Sequence, residues 1–149
     1  MYHNRSRHED AESELNASYV SFDTLLEESD FVVCTAPLTP ETENKFNKDA
    51  FSKMKNDAIF INIGRGAIVD EDALIDALNN HEIGGCGLDV LREEPIKLDH
   101  PLLKMEKAVI LPHIGSASVA TRDRMIQLCV DNIVAILKGE KPLTPITNK

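Results

Sequence analysis

Short continuous apolar runs alternate along the chain with segments whose apolar residues recur every three or four positions. Phe31-Val32-Val33-Cys34-Thr35 has the length and composition of a strand covered on both faces. Ile59, Phe60, Ile61 and Ile63 make a second run, and residues 83–90 a third in which Gly84, Gly85 and Gly87 permit close packing. Ala108-Val109-Ile110-Leu111 makes a fourth. Between the runs, Ser21 caps a short helix that turns Leu25 and Leu26 inward, and residues 47–54 supply another. Asp70 caps a helix with Glu71 and Asp72 against its positive dipole end and Leu74, Ile75 and Leu78 on its inner face. Thr39-Pro40-Glu41-Thr42 reads as the start of a further short helix. From about 118 to 138, Met125, Ile126, Cys129, Val130, Ile133, Val134 and Leu137 trace a long amphipathic helix that Gly139 stops. Ahead of these, Met1-Tyr2-His3 reads as the end of a strand followed by a basic turn. Residues 8–15 then read as an acidic helix and 17–20 as a short strand. Strands alternating with helices predict βαβ units and a mostly parallel, doubly wound α/β sheet, as one domain or most of one.

Composition narrows the function classes. A chain of 149 residues supports one domain with a real core. Its 16 basic residues against 25 acidic give a net charge of −9, which argues against a nucleic-acid partner. No apolar run reaches bilayer-spanning length and no signal peptide opens the chain, so a cytoplasmic protein with no membrane partner is expected. Cys34, Cys86 and Cys129 lie far apart in three apolar segments. They read as small buried hydrophobes in a reducing compartment, with neither a disulfide nor a metal framework.

The candidate chemistry follows the strands. Arg65 stands between Gly64 and Gly66 at the end of an apolar run, where open α/β sheets bind ligands. Its planar fork suits a carboxylate, and a loop arginine capping nearby carbonyls is an equal alternative on this motif alone. Asp89, Glu94 and His113 also follow apolar strands. Taken singly, His113 could cap a strand end and Glu94 could be a solvated loop charge, whereas Asp89, between Leu88 and Val90, must find a partner. Together, a histidine, a carboxylate to orient it and an arginine for a second carboxylate suit carbonyl or hydroxyl chemistry on a small 2-oxo or 2-hydroxy acid.

Four stretches carry a resemblance: TAPLTPETENKFN (35–47), FINIGRGAIVDEDAL (60–74), GLDVLREEP (87–95) and LPHIGSAS (111–118). In that order and spacing they resemble the D-isomer-specific 2-hydroxyacid dehydrogenases, within them the glyoxylate/hydroxypyruvate reductase branch. The resemblance covers essentially the whole chain. It implies a Rossmann-like NAD(P)-binding domain and a reductase that takes a small 2-oxo acid, such as glyoxylate or hydroxypyruvate, to the D-2-hydroxy acid. By position, Arg65 matches the family's substrate-carboxylate arginine, His113 its acid/base residue and Glu94 the glutamate that supports the histidine. Asp89 matches the residue that holds the nicotinamide carboxamide, and Ala36, Pro37, Thr42, Ile63 and Gly115 match cofactor-lining positions.

The turn Asn4-Arg5-Ser6-Arg7 bears on cofactor choice. Members of this fold that prefer NAD carry an acid at the end of the second strand, and here no acid appears before Glu9. Two guanidiniums and a hydroxyl suit a 2′-phosphate, so NADP(H) is favoured, with NAD(H) as the alternative. The seven glycines, at 64, 66, 84, 85, 87, 115 and 139, contain no G-x-G-x-x-G loop for a pyrophosphate. The expectation is therefore an incomplete, N-terminally truncated domain that lacks its first βα unit and most of a substrate domain. It would leave strand edges exposed, bind cofactor weakly and turn over little by itself. The family implies a homodimer for the full-length protein. Other 2-oxo acids such as 2-ketogluconate or phosphohydroxypyruvate come next. A formate dehydrogenase fits less well, because that branch has glutamine where Glu94 stands. A non-catalytic fragment or a corepressor-like binding module on the same fold is the alternative of a different class.

Overall fold

A computed structural model describes residues 1–146 of the chain. The chain divides into two compact units, Met1–His113 and Ile114–Lys149. In the first unit, β1 (Phe31–Cys34), β2 (Ile59–Asn62), β3 (Gly85–Leu88) and β4 (Ala108–Ile110) form one sheet in the order β1-β2-β3-β4. Every pairing is parallel, with Phe31 opposite Ile59, Ile59 opposite Gly85 and Gly87 opposite Val109. Parallel neighbours need crossovers, and α3 (Lys48–Ser52) and α4 (Glu71–Asn79) provide the first two. The remaining helices of this unit are α1 (Glu9–Leu15) and α2 (Phe22–Glu28).

The helices begin where side chains satisfy their orphan amide groups. Ser21 accepts from the Thr24 N–H, Asn47 from the Ala50 N–H and Asp70 from the Ala73 N–H. Leu26, Phe51, Leu74 and Leu78 then turn inward onto Val32, Cys34 and Phe60. Phe46 lies with its ring centroid 4.6 Å from Phe60, and Phe51 meets Phe60 edge-on at 5.4 Å. Such aromatic pairs contribute beyond the area they bury.

Four local expectations change. β1 is not covered on both faces: Val32 and Cys34 are buried, but Phe31 is 67% and Val33 52% exposed. A continuous apolar run permits burial on both sides without supplying the second cover, and in this unit α2, α3 and α4 pack on one side. Residues 39–42 make a single hydrogen-bonded turn in place of a helix. Thr39 donates its N–H to Thr42 Oγ1, which in turn donates to the Pro37 carbonyl, while the Thr39 carbonyl accepts from the Thr42 and Glu43 N–H groups, so side-chain and backbone bonds close one turn here. The residues expected as two N-terminal strands pair only through one parallel bridge, Tyr2 to Tyr19, outside the four-stranded sheet. In the second unit, α5 (Val119–Leu137) starts at the Ser118 cap, and Gly139 follows it at φ +76°. Its stripe of Met125, Ile126, Val130 and Ile133 is exposed, and Cys129 is exposed where a buried thiol was expected. Periodicity identifies the apolar face of a helix but does not provide what covers it.

No helix among the described residues is long and apolar enough to cross a membrane. The core of the first unit rests on Phe60, which is fully buried. Phe60→Ala is expected to cost about 3–5 kcal/mol in urea unfolding of the chain, with an unchanged m-value.

Candidate active site

Because all four strands run the same way, the residues that follow them collect along one edge of the sheet. Thr35-Ala36-Pro37 leaves β1, Ile63-Gly64-Arg65 leaves β2, Asp89 leaves β3 and Leu111-Pro112-His113 leaves β4.

The turn after β2 is built by a residue that the hydrophobic pattern hides. Asn62 is buried; its Oδ1 accepts from the Gly64 N–H at 3.0 Å and its Nδ2 donates to the Arg65 carbonyl at 3.1 Å. Its own carbonyl accepts from the Asp89 N–H at 3.0 Å, joining the ends of β2 and β3. The flanking glycines are required by close approach. A Cβ on Gly64 would stand 2.7 Å from the Ala36 carbonyl oxygen, and one on Gly66 would stand 1.9 Å from the Leu91 carbonyl carbon. Arg65 is exposed and donates from Nη1 to the Gly64 carbonyl at 2.7 Å.

His113 and Glu94 meet directly, with Nδ1 of the histidine 2.8 Å from Oε2 of the glutamate. A carboxylate only accepts, so Nδ1 carries the proton in this contact. Glu94 Oε1 accepts from the Leu91 N–H at 2.9 Å, which orients the carboxylate. His113 sits at φ +53°, a left-handed conformation that is uncommon away from glycine and strained for this side chain. The hydrogen bond from His113, reinforced by that from Leu91, holds the Glu94 carboxyl below its ordinary range, while the charge of Asp89 works against this. Beside the pair lies a mainly apolar cleft of about 500 Å³, bounded by Leu91, Ile96, Leu103 and Leu111.

Of the other residues read from the sequence, Asp89 is buried, and Thr42 pins the loop that carries Ala36 and Pro37. Ile63 is half exposed at the β2 edge, and Gly115 belongs to the second unit. Around the basic turn, Asn4 Oδ1 accepts from the Arg5 N–H and Tyr19 donates to the Asn4 carbonyl. Arg7 is held in a two-bond pair with Glu12, both at 2.8 Å, and Tyr2 donates to the same carboxylate. Arg5 and Ser6 are exposed, and Arg5 enters no ion pair among the described residues. Cys34 and Cys86 are buried thiols whose pKa burial raises, that of Cys86 to about 11, so neither is a thiolate at neutral pH. Asn62 is hidden in the sequence behind the neighbouring Arg65. Like Asp89 it is a polar group within an apolar run, and burial there requires a partner for both.

The family model "D-isomer specific 2-hydroxyacid dehydrogenase, NAD binding domain" matches residues 1–115. A glyoxylate/hydroxypyruvate reductase B from Salmonella newport (strain SL254) is 51% identical over 140 residues, covering 94% of this chain and 43% of the relative. The chain thus spans less than half the length of that relative. Among solved structures, an NADPH-dependent glyoxylate/hydroxypyruvate reductase from Sinorhizobium meliloti, in complex with NADP and malonate, aligns with a TM-score of 0.89 and 37% identity. That alignment covers 98% of this chain and 44% of the other. A D-lactate dehydrogenase with NAD+ from Lactobacillus jensenii aligns with a TM-score of 0.88 and 33% identity, covering 98% and 47%.

The Glu94 shift has a pH consequence. A depressed carboxyl pKa adds stability that is present above the ordinary value of 4.5 and is lost as pH falls through the depressed value. The pair is partly exposed, so the contribution is small. Glu94→Gln is expected to be less stable than wild type above about pH 4.5, with the difference closing in acid, read from urea midpoints across that range.

Proposed function

This chain belongs to the D-isomer-specific 2-hydroxyacid dehydrogenase family, and we propose that it carries the nicotinamide-side chemistry of a reductase acting on a small 2-oxo acid, glyoxylate or hydroxypyruvate. The observation that carries this reading is the 2.8 Å contact between His113 and Glu94 at the carboxyl edge of the sheet. An imidazole oriented through Nδ1 presents Nε2 to a carbonyl oxygen, to which it gives a proton as the carbonyl is reduced. Arg65 pairs with the substrate carboxylate and, with the charged His113, stabilises the negative charge that develops on the oxygen. The nicotinamide cofactor, when bound, supplies the hydride.

The residues present suit the two ends of a dinucleotide. Near the sheet edge, the close Gly64–Ala36 approach and the half-exposed Ile63 offer an apolar wall for a planar ring, and the family resemblance gives the buried Asp89 the role of accepting from its carboxamide. At the other end, the two guanidiniums and the hydroxyl of Asn4-Arg5-Ser6-Arg7 suit a 2′-phosphate, which supports NADP(H) over NAD(H). Arg5 is the better placed of the two arginines, since Arg7 must share its guanidinium with Glu12. The seven glycines of this sequence contain no G-x-G-x-x-G loop of the kind that cradles the pyrophosphate between these ends.

Two outcomes test the reading. In fluorescence titration of the chain at low salt, Arg5→Ala weakens NADPH binding by about tenfold, the loss of one charge-assisted contact. NADH binding is unchanged by it, and Arg7→Ala has the smaller effect. Equal NADPH and NADH affinities in the unsubstituted chain would remove the phosphate assignment. In a chimera that sets this segment into the Salmonella reductase, His113→Gln lowers kcat for glyoxylate by roughly 10²–10⁴-fold; unchanged turnover would remove the acid/base assignment.

A further inference from the structure

Glu71 opens α4, where an acid is favourable against the helix dipole without further role. The structure gives it a second engagement. Its side chain is only 15% exposed, and its carboxylate reaches across 21 residues to accept from the Arg92 N–H through Oε1. Its other oxygen, Oε2, stands 3.5 Å from His100 Nε2. His100 Nδ1 accepts from the Leu102 N–H, so Nε2 carries a proton and points a donor at Glu71.

The peptide that Glu71 grips adjoins the one that Glu94 grips. Glu71 takes the Arg92 N–H, and Glu94 takes the Leu91 N–H while holding His113. Gly66 allows this backbone to press against the turn after β2. The Arg92 side chain adds further ties, donating to Asn44 Oδ1 and, at 3.4 Å, to the Ala67 carbonyl. The Leu91–Arg92 backbone is thus fixed by carboxylates from two directions, one belonging to the candidate pair and one to α4.

We propose that Glu71 is a positioning residue for the Glu94–His113 pair: by anchoring the Arg92 amide, with His100 steadying its far oxygen, it sets the loop that aims Glu94 at His113. The proposal rests on the reading of that pair as the acid/base machinery, although its test requires no turnover. A residue serving only the helix dipole and one serving the loop respond oppositely to two conservative changes. Glu71→Asp keeps the charge at the helix start but is one methylene too short to hold Arg92. Glu71→Gln loses the charge but keeps an oxygen that accepts from the amide.

The experiment is a carbon-detected NMR titration of the Glu94 carboxyl in the 149-residue chain and in each variant, with amide dispersion confirming that both are folded. In the unsubstituted chain the Glu94 midpoint lies below the ordinary carboxyl value because of its bond with His113. Positioning through Arg92 predicts that Glu71→Asp moves this midpoint upward while Glu71→Gln does not raise it. Glu71→Asp keeps the negative charge, and Glu71→Gln, which removes it, lowers the midpoint by charge alone, so an upward shift confined to the aspartate variant is not an effect of lost charge. An unmoved midpoint in Glu71→Asp, or an upward shift in Glu71→Gln as large as that in Glu71→Asp, overturns the proposal and leaves Glu71 a helix-dipole residue. The chimera assay with His113→Gln decides the reductase reading separately. A titration that behaves as expected beside an unaffected turnover would show a positioned pair without that chemistry.

Discussion

Parallel pairing is the constraint on which the site depends. Each strand of the sheet leaves its carboxyl end on the same edge, so Ala36, Arg65, Asp89 and His113, spread over almost eighty residues of sequence, arrive at one place. An antiparallel pairing anywhere between β1 and β4 would send at least one of them to the far end. The crossovers that parallel pairing requires bring the helices that bury Phe51, Phe60 and Leu74, so the packing that stabilises the sheet also orders its edge.

Gathering residues at an edge does not by itself bring them into hydrogen-bonding distance. That depends on tight turns whose backbones nearly touch. Asn62 closes the turn after β2 with two side-chain bonds, and Gly64 and Gly66 let that turn lie against the backbones of Ala36 and Leu91. The loop after β3 is then held against the turn, and it delivers Glu94 to a His113 whose left-handed backbone turns the imidazole toward the carboxylate. Burial of polar groups along this route is tolerable because each has a partner. The family match extends over residues 1–115, the span that contains the whole of this arrangement.

The sequence pattern performed unevenly, and for identifiable reasons. β1 to β4 and the caps at Ser21 and Asp70 were legible because each reflects local chemistry: strand-length apolar runs and side-chain acceptors three residues before an orphan amide. Arg65, Asp89, Glu94 and His113 were legible as polar groups placed after apolar strands. Asn62 and the second engagement of Glu71 were not, since their partners lie in loops that no periodicity describes. The exposed Phe31, Val33 and Cys129 show the opposite error. An apolar residue records that burial would be favourable, and burial also needs a second surface. Arg7 illustrates a subtler case, in which a charge suited to a ligand is engaged by Glu12 from the next helix.

The sequence by itself determined the α/β class, the order of its elements, the likeness to a dehydrogenase family and the residues with chemistry to offer. All of these are properties of spacing and side-chain type along the chain. Only the tertiary structure decided that Glu94 meets His113 through Nδ1, that Gly66 yields its side chain to the Leu91 backbone, and that Glu71 reaches Arg92. Hydrogen bonds and steric contacts act over a few ångströms in space and are indifferent to separation in sequence. The partners become definite only once the sheet has set how far apart its strand ends stand.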